Sequence, residues 1–224
     1  MAVAHRWDLT PTAAVALQRE LAHAVDASRP LPVRQECLVA GLDVSHARFS
    51  RHLTAGVCVL HYPTWRLVEQ QTWQGEAGFP YIPGLLSFRE APALLAAIAR
   101  LSCQPDLFVV DGQGLAHPRR LGLACHLGLW LGRPIFGCAK SLLVGRPDRL
   151  AERRGATAPL RDRGEIVGMA VRTRRGVKPV YVSPGHLIDL PSAVAWSLAL
   201  APRWRLTEPI RQAHDLVNRT RRAS

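Results

Sequence analysis

A chain of 224 residues, 48% of them hydrophobic, can bury a core without disulfide or metal staples and is too apolar to stay disordered. Its formal charge of +12 points to a polyanionic partner such as nucleic acid. No apolar run is long enough to span a bilayer and no secretory h-region opens the chain, so the expectation is a soluble, cytoplasmic protein with no membrane partner.

In chain order, Thr10-Pro11 ahead of AAVALQRELAHAVDAS predicts a capped helix with proline in its first turn, ended by Arg29-Pro30-Leu31-Pro32. Strands are predicted over 38–45, 56–61 and 66–73, separated by short breaks that suit an antiparallel meander. After the proline-rich FPYIPG, Ser87-Phe88-Arg89-Glu90 has the S-x-x-E spacing of a capping box and opens a helix over 87–101. A strand over 107–110, a helix over 119–131 and a strand over 134–139 follow, then strands over 166–173 and 180–183 and helices over 192–200 and 207–221. Strands first and βαβ-like alternation afterwards imply a mixed sheet flanked by helices.

Lys140 and Lys178 are the only lysines, so the charge rests on arginine, which suits bidentate contacts with phosphate; a codon bias towards arginine gives the same composition. The stretch from Lys140 to Lys178 holds eleven basic residues against Asp148, Glu152, Asp162 and Glu165. That local excess is the footprint expected for a polyanion, although each arginine taken singly reads equally well as part of a solvated face. Cys37, Cys58, Cys103, Cys125 and Cys138 form no CxxC pair and read as small core hydrophobes of a reducing compartment, not as a zinc site.

Two acids stand out. CLVAGLDVS sets Asp43 in an apolar run, and LFVVDGQG delivers Asp111 from a strand into a glycine-bracketed turn. Carboxylates at strand ends lie where open α/β sheets bind ligands. Two of them on buried strands are costly without a compensating charge, for which a divalent cation is the usual choice. If the strand over 107–110 returns parallel to the first strand, Asp43 and Asp111 fall side by side. Asp111-Gly-Gln-Gly lacks the third glycine of a dinucleotide fingerprint, which sets that chemistry aside.

VAGLDVS, PYIPGLLSFRE, VVDGQGLAHPRRLGLACHLG, GCAKS and EPIRQAHDL, in this order, resemble the successive motifs of the endonuclease V family, deoxyinosine 3′-endonucleases of ribonuclease H-like fold. The likeness spans roughly Val39 to His214. It implies a metal site of Asp43, Glu90 and Asp111 for Mg²⁺, with Mn²⁺ as a substitute. It also implies that Lys140 stabilises charge on the attacked phosphate or orients the water, and that His214 orients or deprotonates that water. The loop Pro80-Tyr81-Ile82-Pro83, stiffened by its prolines, would separate the strands at the lesion. Gly84, Leu85, Gly112 and Gly122 would form the pocket for the flipped base.

Local readings compete at these positions: Asp43 and Asp111 also read as strand-end acids capping turns, and the Tyr81 loop as a surface turn whose tyrosine packs on the core. Glu90 is also the N3 residue of a capping box, Lys140 a lysine following a strand, and His214 a histidine on a helix surface. His117, His126 and His186, the last in a turn, read as packing or hydrogen-bonding residues and not as catalytic ones. The sequence departs from the family at residues 45–49 (SHARF), close after Asp43, and in the arginine-rich stretch 146–163, where no element is predicted.

The reading as a whole is one α/β domain over 1–224 of ribonuclease H-like type. Residues 1–35 form an N-terminal helix and linker, and residues 200–224 a C-terminal helix that completes the site. The expected substrate is deoxyinosine-containing DNA, acted on by a monomer. An inosine-specific endoribonuclease and a non-catalytic nucleic-acid-binding protein are the alternatives.

Overall fold

The computed structural model describes residues 4–47 and 50–223; Arg48 and Phe49, the end of SHARF, lie outside them. Helix α1 (Pro11–Ala22) precedes the meander β1 (Cys37–Ser45), β2 (His52–Tyr62) and β3 (Arg66–Glu76). Then come α2 (Leu86–Ile98), β4 (Leu107–Val110), α3 (Leu123–Leu131) and β5 (Ile135–Ala139). The chain finishes with β6 (Arg146–Pro147), β7 (Thr157–Asp162), β8 (Glu165–Val171), β9 (Val180–His186), α4 (Leu190–Ala199) and α5 (Glu208–Arg222). The strands form one mixed sheet in the order β3-β2-β1-β4-β5-β9-β8-β7-β6, the helix-flanked mixed sheet expected for the ribonuclease H-like class.

Period-two side chains give each central strand two buried faces. Ala40, Leu42, Phe108 and Val110 pack with Ala91, Leu94 and Leu127 of α2 and α3. Val39, Leu107 and Val109 pack on the other face with Trp196 of α4 and Ile210 of α5. Burial raises the thiols of Cys58, Cys125 and Cys138 to about 12, as befits cysteines that serve as core hydrophobes.

Strands β1, β4 and β5 run parallel, with Leu42 opposite Val110 and Val110 opposite Gly137. Asp43, Asp111 and Lys140 therefore leave the same end of the sheet. Helix α5 can lie directly on β1 because Gly41 leaves the room: a Cβ there would sit 2.0 Å from the Pro209 carbonyl oxygen. That close approach carries the middle of α5 over Asp43.

Four sequence expectations are corrected. The capping box of α2 does not form. The helix starts at Leu86 with no side-chain cap, because Ser87 Oγ bonds His126 Nδ1 at 2.9 Å and Glu90 faces the other carboxylates. Helix α3 starts at Leu123 and not near Arg119, since Arg120 takes a left-handed φ of 57° in a turn closed by Arg120 N–H to the His117 carbonyl. His186 closes β9 rather than a turn, and its Nδ1 accepts from the Asp26 amide at 3.1 Å.

Finally, the arginine-rich stretch contains β6 and β7. Ala158 and Leu160 of β7 are buried, and Arg163-Gly164 forms the hairpin to β8 with φ of 52° and 83°, the two positive values of a type I′ turn. Arg154 of this stretch is tied to the main-chain carbonyls of Leu198 and Ala201, and Arg172, beyond it, to those of Ala151 and Val177.

Candidate active site

At the carboxyl ends of β1, β4 and β5 lies a cavity of about 470 Å³. Asp43, Glu90, Asp111, Lys140 and His214 line it, together with Tyr81, Ile82, Pro83, Gly84, Gly112 and Gly122. Residues far apart in the chain are thus brought to one space. Leu85, expected in the base pocket, and Pro80, expected in the strand-separating loop, do not line this cavity. Leu85 is 2% exposed and packs with Ala14, Phe79 and Phe88, so its side chain belongs to the core. Pro80 lines an adjoining cavity with Phe79 and Arg89.

Asp43 is 7% exposed and its Oδ2 lies 2.7 Å from His214 Nδ1. The other ring nitrogen, Nε2, lies 3.1 Å from Asn218 Nδ2. Since an amide N–H can only donate, Nε2 accepts and Nδ1 carries the proton that goes to Asp43. Asn218 in turn accepts from Ser45 Oγ at 3.0 Å, which ties α5 to the end of β1. In this arrangement His214 orients Asp43. Asn218 was missed by sequence reasoning; its signal is the i, i+4 spacing from His214, one helical turn on.

Asp111 follows β4 and donates its amide to the Leu42 carbonyl at 3.1 Å. Its Oδ2 meets Lys140 Nζ at 2.5 Å, and the Lys140 carbonyl accepts from Arg205 Nη2 at 2.7 Å. Glu90 is 8% exposed on α2. The cation next to it in sequence, Arg89, is turned away to the carbonyls of Phe79 and Ser50 at 2.9 and 2.8 Å. Burial first, then the charges of Asp43 and Asp111, push the Glu90 carboxyl from 4.5 up to about 8. Asp43 is raised by burial and by Asp111, against the opposing pull of His214.

With Asp43 and Asp111 both raising Glu90, and Asp111 raising Asp43, the site is short of positive charge, and an oxygen-only donor set fits a hard divalent cation. Among the described residues no three His, Cys, Asp or Glu side chains are already closed around a single point. Asp43 is engaged by His214 and Asp111 by Lys140, each through its Oδ2 oxygen.

The charge state of Glu90 has a testable consequence. Between pH 4.5 and about 8 the folded chain holds a proton on Glu90 that the unfolded chain has released, so the contribution of Glu90 to stability falls as pH rises through that window. In EDTA, Glu90→Gln should melt near wild type at pH 5 and roughly 5 °C above it at pH 8.5. Saturating Mg²⁺ should reverse the order at pH 8.5 by stabilising wild type selectively. Parallel melting curves check both signs.

His117, which also lines the cavity, and His126 are each held by hydrogen bonds. His117 Nε2 bonds the Gly84 carbonyl at 3.0 Å and is depressed to about 4 by burial and by Arg119. His126 bridges Ser87 and His5 and is depressed to about 3 by burial and His5.

A mixed sheet that gathers acids from two parallel strands and a flanking helix, with a lysine from a third strand, places this chain among the ribonuclease H-like nucleases. It belongs to the endonuclease V family, whose profile (Endonuclease V) matches residues 19–215. The Endonuclease V of Myxococcus xanthus is 54% identical over 218 residues, covering 97% of this chain and 92% of that protein. The crystal structure of the Streptomyces avermitilis Endonuclease V is 42% identical with a TM-score of 0.93, covering 99% of this chain and 97% of that one. A Ciona intestinalis Endonuclease V, solved in complex with a 24-mer DNA containing an inosine followed by a ribo-adenosine, shares the fold at 24% identity and a TM-score of 0.83, covering 95% of this chain and 97% of that one.

Proposed function

We propose that this protein is a metal-dependent endonuclease that recognises deoxyinosine in DNA and hydrolyses the second phosphodiester bond on its 3′ side, leaving 3′-hydroxyl and 5′-phosphate ends. The observation that carries the reading is that one cavity holds three carboxylates, a lysine and a histidine against a wall made by the Tyr81 loop and the glycine turns at 84, 112 and 122.

Asp43, Glu90 and Asp111 are the residues to hold Mg²⁺, or Mn²⁺ in its place. Bound there, the cation would supply charge neutralisation on the attacking and leaving oxygens of an in-line displacement. The chain's own groups do the rest. Lys140 presents its ammonium at the mouth of the site, where it can pass from Asp111 to a phosphate oxygen. His214 keeps the Asp43 carboxylate aimed through Nδ1–H. Tyr81, 64% exposed, sits on the cavity rim, where an aromatic ring can fill the gap left by a flipped base. Gly84, Gly112 and Gly122 leave main-chain groups free of side-chain bulk. The inosine in the Ciona complex belongs to that protein, and it supports the substrate class proposed for this one.

The test is cleavage of a duplex carrying one deoxyinosine, with Mg²⁺ or EDTA, mapped to the nucleotide. A Mg²⁺-dependent nick at the second bond 3′ to the lesion is the expected result. Cleavage only of an inosine-containing RNA would keep the chemistry and move the substrate. Tight binding without a cut on either would overturn the enzyme.

A further inference from the structure

The two walls that would hold the base belong to different elements. One is the Ile82–Leu85 turn before α2, closed by Leu85 N–H to the Ile82 carbonyl at 2.9 Å; the other is the Leu121–Gly122 stretch before α3. A buried side chain of α1 bonds both directly, while His117, from the turn ahead of Leu121, also reaches the Gly84 carbonyl. Gln18, on α1 and 0% exposed, donates through Nε2 to the Gly84 carbonyl at 3.1 Å and to the Leu121 carbonyl at 3.3 Å. Its Oε1 accepts from Arg119 Nε at 2.5 Å, and Arg119 Nη2 returns to the Gly84 carbonyl at 2.6 Å.

Both amide hydrogens and the amide oxygen of Gln18 are therefore used. A planar carboxamide sets the separation of the two carbonyls it bridges. Gly84 holds a φ of 78°, a conformation that leaves its carbonyl turned towards these donors and that a side chain would resist.

We infer that Gln18 is a specificity-determining positioning residue: by holding the Gly84 and Leu121 carbonyls to one amide it sets the width of the base pocket. The inference rests on the base-recognition reading above. A pocket that selects a base by fixed main-chain groups loses selectivity when its walls drift, because misplaced donors and acceptors no longer penalise the wrong base. Hypoxanthine and xanthine differ by one oxygen on the ring edge, so a wider pocket narrows the difference between them.

Two substitutions test this. Gln18→Met keeps length and volume and removes all three hydrogen bonds. Gln18→Glu keeps the packing and the Arg119 partner and replaces both donated bonds by carboxylate–carbonyl repulsion, so it decides the matter if Gln18→Met fails to fold. The readout is kcat/KM on duplexes with one deoxyinosine or one deoxyxanthosine, with Kd for the same duplexes in EDTA. The ratio should fall by about tenfold in a folded variant, the loss on deoxyinosine falling on KM more than on kcat. A ratio within about twofold of wild type, whatever the change in melting temperature, would mean that Gln18 only supports the fold. Wild-type protein that neither binds nor cuts deoxyinosine selectively would overturn the base-recognition reading, and the inference with it.

Discussion

Asp43→Asn should leave a folded protein that still binds a deoxyinosine duplex but cuts it about 10³-fold more slowly, or not at all. Asparagine keeps the shape of the side chain, and its oxygen can still accept from His214 Nδ1, now 2.7 Å from Asp43 Oδ2. The link from α5 to β1 through Asn218 and Ser45 is untouched. What disappears is one of the three carboxyl groups proposed to hold the cation. A cation held at such a site contributes several kcal/mol of charge stabilisation to phosphoryl chemistry, and each 1.36 kcal/mol is tenfold in rate, hence about 10³-fold. Single-turnover rates with Mg²⁺ and fluorescence anisotropy in EDTA separate cutting from binding. Equal loss of both would show that Asp43 serves the fold and not the reaction.

Tyr81→Ala should weaken action on duplex deoxyinosine by about 10- to 100-fold, the range expected when a base loses an aromatic stacking partner. The loop is held at both ends: Arg89 grips the Phe79 carbonyl, and Gln18, His117 and Arg119 converge on that of Gly84. Between those anchors Pro83 and Gly84, with φ of 78° at Gly84, form the proline-glycine pair of a type II turn. Tyr81 projects from this braced frame with 64% of its surface exposed. A ring that wedges a duplex open matters less where the base is already unpaired. The loss should therefore shrink on single-stranded substrate, and comparing kcat/KM on the two forms measures the wedge. An equal loss on both would assign Tyr81 to gripping the base, and no loss would remove it from recognition.

Much of this site was legible in the chain. The apolar run LFVV ending in Asp-Gly marked β4 at its observed bounds, Leu107–Val110, because a fully buried parallel strand is a short continuous apolar run. Placing Asp43 and Asp111 side by side needed only the right-handed crossover rule and the choice of β1 as neighbour, and β1 does pair with β4. Strand β7 escaped because Pro159 and the arginines around it mask an alternation carried by only two buried residues, Ala158 and Leu160. Asn218 and Gln18 escaped for another reason. Each acts through one polar group whose partner is distant in sequence, and no local pattern reports a bond from Gln18 to Leu121.

By itself, then, the sequence determined most element types, the continuous burial of β4, the placing of Asp43 and Asp111 at strand ends and the excess of basic residues. Periodicity, strand-end acids and composition are properties of short windows. Tertiary structure decided which of two local options each ambiguous residue took. Ser87 could have capped its own helix, yet it bonds His126, 39 residues away, and Glu90, released from the cap, faces Asp43 and Asp111. Leu85 could have lined the cavity, yet it packs into the core. A polar side chain makes one set of bonds at a time, and the winner is settled only when packing sets the distance to the competing partner.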